Sequence, residues 1–97
     1  MTPKQRAALA YFHYEAGIKH GSELAQSIIS EFPEGFDDTQ IAKIAADIKR
    51  SLSSALTAIH KRFHDAFGSG HGVGLRTGLS KYQETLLLRG IGIKQVG

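Results

Sequence analysis

The chain has 97 residues, 41% of them apolar, with a formal net charge of +3 and no cysteine. That length allows one small domain with a modest core. The cysteine count excludes disulfides and thiolate metal sites, and no apolar run approaches the roughly 20 residues that span a bilayer. The amino terminus lacks the continuous apolar stretch of a signal peptide, so a cytoplasmic location is expected.

Thr2, followed by Pro3 and with Gln5 three residues on, reads as an N-cap, a first-turn proline and a capping box. They open a helix over about 3–16 that Gly17 is expected to close. Leu9, Phe12 and Ala16 form one apolar stripe on it, and Tyr11, Tyr14 and Ile18 a second beside the first. Ser22 reads as the cap of a short helix over about 23–32, ended by Pro33 and Gly35. Asp37 with Gln40 repeats the capping box and opens the dominant element, a helix over about 38–67. Its stripe runs through Ile41, Ile44, Ile48, Leu52, Ile59, Phe63 and Phe67 without a glycine or proline until Gly68. It is expected to be the central spine on which the two preceding helices pack.

From Gly68 onward the composition changes. Eight of the eleven glycines fall between Gly68 and Gly97, with Arg76, Lys81, Arg89 and Lys94 against one acid, Glu84. Glycine loses more backbone freedom on folding than any other residue. The segment 68–97 therefore reads as a basic arm ordered by a partner, carrying a short helix over about 81–89, and 1–67 as the helical body. The expected class is all-α. A chain ending at Phe67 is expected to keep its helices and lose its partner.

Arg76, Lys81, Tyr82 and Arg89 are the expected partner contacts, because arginine and tyrosine combine large contact area with directional hydrogen bonds. Ile91 and Ile93, alternating with glycine, could add to a sheet edge as an extended strand. Pro33 follows an aromatic residue in an acidic turn, which makes it a candidate contact for a prolyl isomerase beside its plainer role of ending a helix.

The other chemistries are weaker in the residues. Alternating Gly68, Gly70, Gly72 and Gly74 follows a helix rather than a strand and lacks the Gly-Lys-Ser or Gly-Lys-Thr ending of a phosphate loop. His60 and His64 are four apart, with Asp65 and His71 nearby, but Lys61 and Arg62 set positive charge beside any cation, so no metal is expected. No nucleophile stands in a recognisable setting, and neither a cofactor nor catalysis is expected. Charge divides unevenly: three bases and six acids from Met1 to Asp38, nine bases and three acids after that. The basic half, with Lys43, Arg50, Ser54, Thr57, Lys61 and His64 on one polar stripe that Asp47 interrupts, supports an alternative in which a small protein contacts nucleic-acid phosphates.

The opening Thr2-Pro3-Lys4-Gln5-Arg6-Ala7, the turn Phe32-Pro33-Glu34-Gly35-Phe36 and the segment from Gly68 to Gly78 are parts of a chain that, over its whole length, resembles the small anti-RecBCD accessory proteins of lambdoid Salmonella phages. The resemblance implies a non-enzymatic protein in the host cytoplasm that binds the RecBCD helicase-nuclease. It would alter the processing of DNA ends in favour of phage recombination, with DNA contacted weakly or only through the enzyme. No motif of that family transfers functional residues onto this chain.

Overall fold

The structure, a computed structural model, describes residues 1–88, with side-chain surroundings given through residue 80 apart from Asp38. Among these residues the architecture is all-α: α1 (Pro3–Glu31), α2 (Asp38–Leu56), a single 3-10 turn (Lys61–Phe63) and α3 (His64–Leu88). The molecule is elongated, 53 × 25 × 23 Å. Its axis follows α1, whose 29 residues span about 43 Å at 1.5 Å per residue.

Both capping boxes form. The Thr2 hydroxyl accepts from the Gln5 backbone at 3.1 Å while the Gln5 side chain accepts from Thr2 N at 2.9 Å. Asp37 and Gln40 exchange the equivalent pair at 2.9 Å each. These bonds satisfy backbone donors that a helix start otherwise leaves bare. Phe32, Pro33, Glu34 and Gly35 reverse the chain between α1 and α2: Gly35 N donates to Phe32 O at 3.1 Å, and Gly35 takes φ 98°, a conformation that only glycine adopts without strain. Pro33 lies exposed in that turn.

The remaining expected boundaries are corrected. Gly17 does not end a helix and Ser22 does not cap one; α1 runs through both. The run from Gly68 to Gly78 is not an arm but the interior of α3. The physical cause is the same in both places. A methyl group on Gly17 would overlap the Phe67 carbonyl oxygen and lie 2.9 Å from His71 N, and one on Gly21 would overlap the His71 carbonyl oxygen. Reciprocally, methyl groups on Gly70 and Gly74 would overlap the carbonyl oxygens of Tyr14 and Ile18. Glycines four apart on each helix thus let two backbones touch, the small-xxx-small arrangement more often met between membrane helices. Such contact brings carbonyl oxygens against Cα–H groups. One more turn along, Gly78 faces the fully buried Ala25. The pairings rise together in number, so α1 and α3 are parallel and α2 supplies the return between them.

The long helix predicted over 38–67 ends at Leu56 instead. Ala58 and Ile59 close tight turns onto Ala55 and Leu56, and His60 then becomes a cap, its Nδ1 accepting from Arg62 N at 3.1 Å. His64 Nε2 donates to the Ile59 carbonyl at 2.8 Å. The core is correspondingly not built on the α2 stripe: among the described side chains of that helix only Ile44 is buried, Ile48 is half-buried and Ile41 is 42% exposed. Ala25, Ile28, Phe63, Phe67 and the glycine seam carry the rest. A chain ending at Phe67 would lack α3, the packing partner of α1, so contrary to the sequence expectation such a fragment does not keep this fold's core.

Candidate protein-binding pole

The end of the molecule where α1 begins collects features far apart in sequence. His13, on α1, stacks on Phe63 of the 3-10 turn with ring centroids 4.7 Å apart and an interplanar angle of 22°. Phe12 meets His13 edge-on at 5.4 Å, and His60 meets Phe63 edge-on at 6.3 Å. A chain of rings, Phe12–His13–Phe63–His60, therefore ties the start of α1 to the loop after α2. Phe63 is buried within it, while Phe12 is 64% exposed. Tyr11 is 63% exposed beside it. The carboxylate of Glu15 pushes the Tyr11 phenol above its ordinary range by hydrogen bond and by charge.

From Thr2 to Leu9 every residue is exposed, as are Tyr11 and Phe12. The first three turns of α1 thus run clear of the other helices. Leu9 and Phe12, expected to face a core, do not. Lys4, Arg6, Lys61 and Arg62 are all exposed at this end. Among the described residues no carboxylate lies within ion-pair distance of any of them, whereas Lys43 meets Glu31 at 2.8 Å and Arg50 meets Asp47 at 3.5 Å. The Glu31 carboxylate also raises the Lys43 ammonium pKa by hydrogen bond and charge. The opposite end holds Glu31, Glu34 and Asp37 around the α1–α2 turn.

The residues expected to bind a partner are placed differently. Arg76 is exposed on α3. Lys81 and Tyr82 belong to the α3 backbone. Arg89, Ile91 and Ile93 lie outside the described residues. The basic stripe expected on α2 does not persist, because Lys43 and Arg50 are paired and the helix ends before Lys61 and His64. His60 and His64 are each engaged by the loop that joins α2 to α3. Among the described residues no three histidine or acidic side chains converge.

One polar pair lies inside the fold. His71 of α3 is 2% exposed, and its ring centroid is 5.2 Å from that of His20 on α1. His20 Nδ1 and His71 Nε2 are both buried without a hydrogen-bond partner. Burial first and the neighbouring His20 second hold His71 below the ordinary histidine pKa. His20 also lines a shallow groove of about 400 Å³ between α1 and α2, with Lys19, Glu23, Ala55 and Ile59. No helix among the described residues is long and apolar enough to cross a membrane.

The aromatic pole was missed in the sequence because its rings were assigned to core stripes. The signal was there in the two stripes themselves: together with Ala7, Ala8 and Ala10 they make α1 apolar on every side at its start, more than one buried face requires. No protein-family model, curated protein sequence or solved structure matches this chain.

Proposed function

We propose that the chain is a non-enzymatic binding protein that modulates a larger enzyme, and that the enzyme is the host RecBCD helicase-nuclease named by the sequence resemblance. The observation that carries the binding reading is the pole: two aromatic side chains more than 60% exposed on a capped helix, ringed by cations without acidic partners. Exposed apolar clusters rimmed by polar groups mark interaction sites on small proteins. A body held together by backbone contact between α1 and α3 presents that cluster rigidly and needs no chemistry of its own. DNA ends would be affected through the enzyme.

Purified chain mixed with purified RecBCD is expected to form a complex on size exclusion and to alter its exonuclease activity. Absence of a complex at micromolar concentrations of both would remove this reading. Pro33, exposed in its turn, is the contact proposed for a prolyl isomerase. Pro33→Ala is expected to abolish isomerase binding, and binding that survives the change places the contact elsewhere.

A further inference from the structure

We infer that the first three turns of α1, Pro3 to Phe12, are a docking helix that inserts into an apolar groove rimmed by carboxylates on a protein partner. The inference rests on the protein-binding reading above and identifies the surface that does the binding and the chemistry that receives it.

Ala7-Ala8-Leu9-Ala10-Tyr11-Phe12 is an unbroken apolar run. At 100° per residue six consecutive positions cover the whole circumference of a helix, and a helix apolar all round is normally buried. Here only Ala10 is partly covered, and Leu9, Tyr11 and Phe12 are 39%, 63% and 64% exposed. The same turns hold their shape without help from the rest of the fold: the Thr2–Gln5 capping box and Pro3 in the first turn fix the start. Insertion therefore requires little ordering of the backbone, the cost that most weakens binding by flexible segments. A helix that presents apolar anchors one turn apart, as Leu9 and Phe12 do, is the shape accepted by a groove.

Charge selects among occupants. A second copy docked pole to pole would set Lys4, Arg6, Lys61 and Arg62 against their own equivalents, with only Glu15 and Asp65 nearby to offset them. Pole to opposite end would match charges but would not close into a finite assembly. A single-stranded nucleic acid would match the cations. Tyr11 and Phe12 are consecutive, however, so their rings diverge by about 100° and share no stacking face, and Leu9 offers no ring to a base. A protein groove, apolar within and acidic at its rim, meets both the anchors and the cations.

The test uses the full chain and purified RecBCD in a surface-binding assay. Phe12→Asp and Leu9→Asp are each expected to weaken binding about tenfold or more, as for buried anchors at an interface. Both should keep the parent's helical circular-dichroism signal and a cooperative melt, because neither side chain is in the core and Phe12→Asp removes only the outermost ring contact, that with His13. The double change Lys4→Glu with Arg6→Glu is expected to slow association, by less at 0.5 M salt than at 0.1 M. If the parent binds and the Phe12 and Leu9 variants bind as tightly, the docking helix is overturned and the partner stands. A parent that does not bind overturns both. A parent dimer in sedimentation that Phe12→Asp dissociates makes the occupant a second copy, and a labelled 15-nucleotide thymidine strand held by the parent but not by Phe12→Asp makes it nucleic acid. Either result overturns the inference.

Discussion

Gly70 and Gly72 sit two residues apart in the same helix, and replacing each with alanine should change stability in opposite directions. Alanine is favoured over glycine in a helix interior by about 1 kcal/mol wherever the added methyl meets nothing. At Gly72 nothing lies within 4 Å of the new Cβ, and the same holds at Gly68. At Gly70 the methyl would overlap the Tyr14 carbonyl oxygen and sit 3.0 Å from Ile18 N. Both obstacles are backbone, so no side chain can rotate away and the helices must part. Overfilling of a close-packed contact costs about 1–3 kcal/mol, and here the separation also uncovers neighbours along the seam. Gly72→Ala is therefore expected to gain up to about 1 kcal/mol, and Gly70→Ala to lose about 2 kcal/mol net of propensity. In a domain of this size that is a rise of about 4–8 °C against a fall of about 8–16 °C in thermal unfolding followed by circular dichroism. Equal stabilisation by both substitutions would mean that α1 and α3 do not meet through their backbones.

Three further outcomes are expected. Because His71 is held below the usual histidine range, the unfolded chain accepts a proton near pH 6.5 that the folded chain resists. Stability should then be full above that pH and fall as the pH drops below it; a urea midpoint that falls no more between pH 7.5 and 5.5 in the parent than in His71→Phe would refute this. Ile44→Ala should cost about 2 kcal/mol or more, as for a buried aliphatic side chain, and Ile41→Ala less than about 1 kcal/mol; denaturation curves that rank them the other way would place α2 with its opposite face inward. A chain truncated after Phe67 should lose cooperative unfolding altogether, and a sharp thermal transition in that fragment would show that α1 is stable without α3.

The all-α class and the two helix starts at Thr2 and Asp37 were legible because capping is local: the hydroxyl or carboxylate and the amide it satisfies lie within four residues. Helix interiors containing glycine were not. The same residue stops a helix when it takes positive φ, as Gly35 does, and joins two helices when it lets backbones touch, as Gly17 and Gly70 do. Which role applies depends on a facing residue some fifty positions away. A trace did exist in the spacing. Read at intervals of two, 68-70-72-74 resembles a loop, but at intervals of four it separates into Gly70-Gly74-Gly78 against α1 and Gly68-Gly72 facing away. The break after Leu56 was hidden because the apolar period runs on to Phe67, and a histidine ring acting as a cap, as His60 does, leaves no strong composition cue. The aromatic pole went unread because exposure is a property of where a helix overhangs its neighbours. That cannot be known before the third helix is placed.

The parallel seam also dictates an order of events during synthesis. Gly17 and Gly21 find their partners only among residues from Phe67 to Leu75, so α1 leaves the ribosome long before anything exists to cover it. The glycines of α3 make that helix weak in isolation, so it gains its shape when it meets α1 rather than beforehand. The closure spans about fifty residues and requires the chain first to reverse through α2, which makes it a slow, non-local step for so small a helical protein. Until Gly78 has been added, the nascent chain carries the seam face of α1, from Gly17 to Ala25, uncovered, in the condition most open to chaperone capture or aggregation.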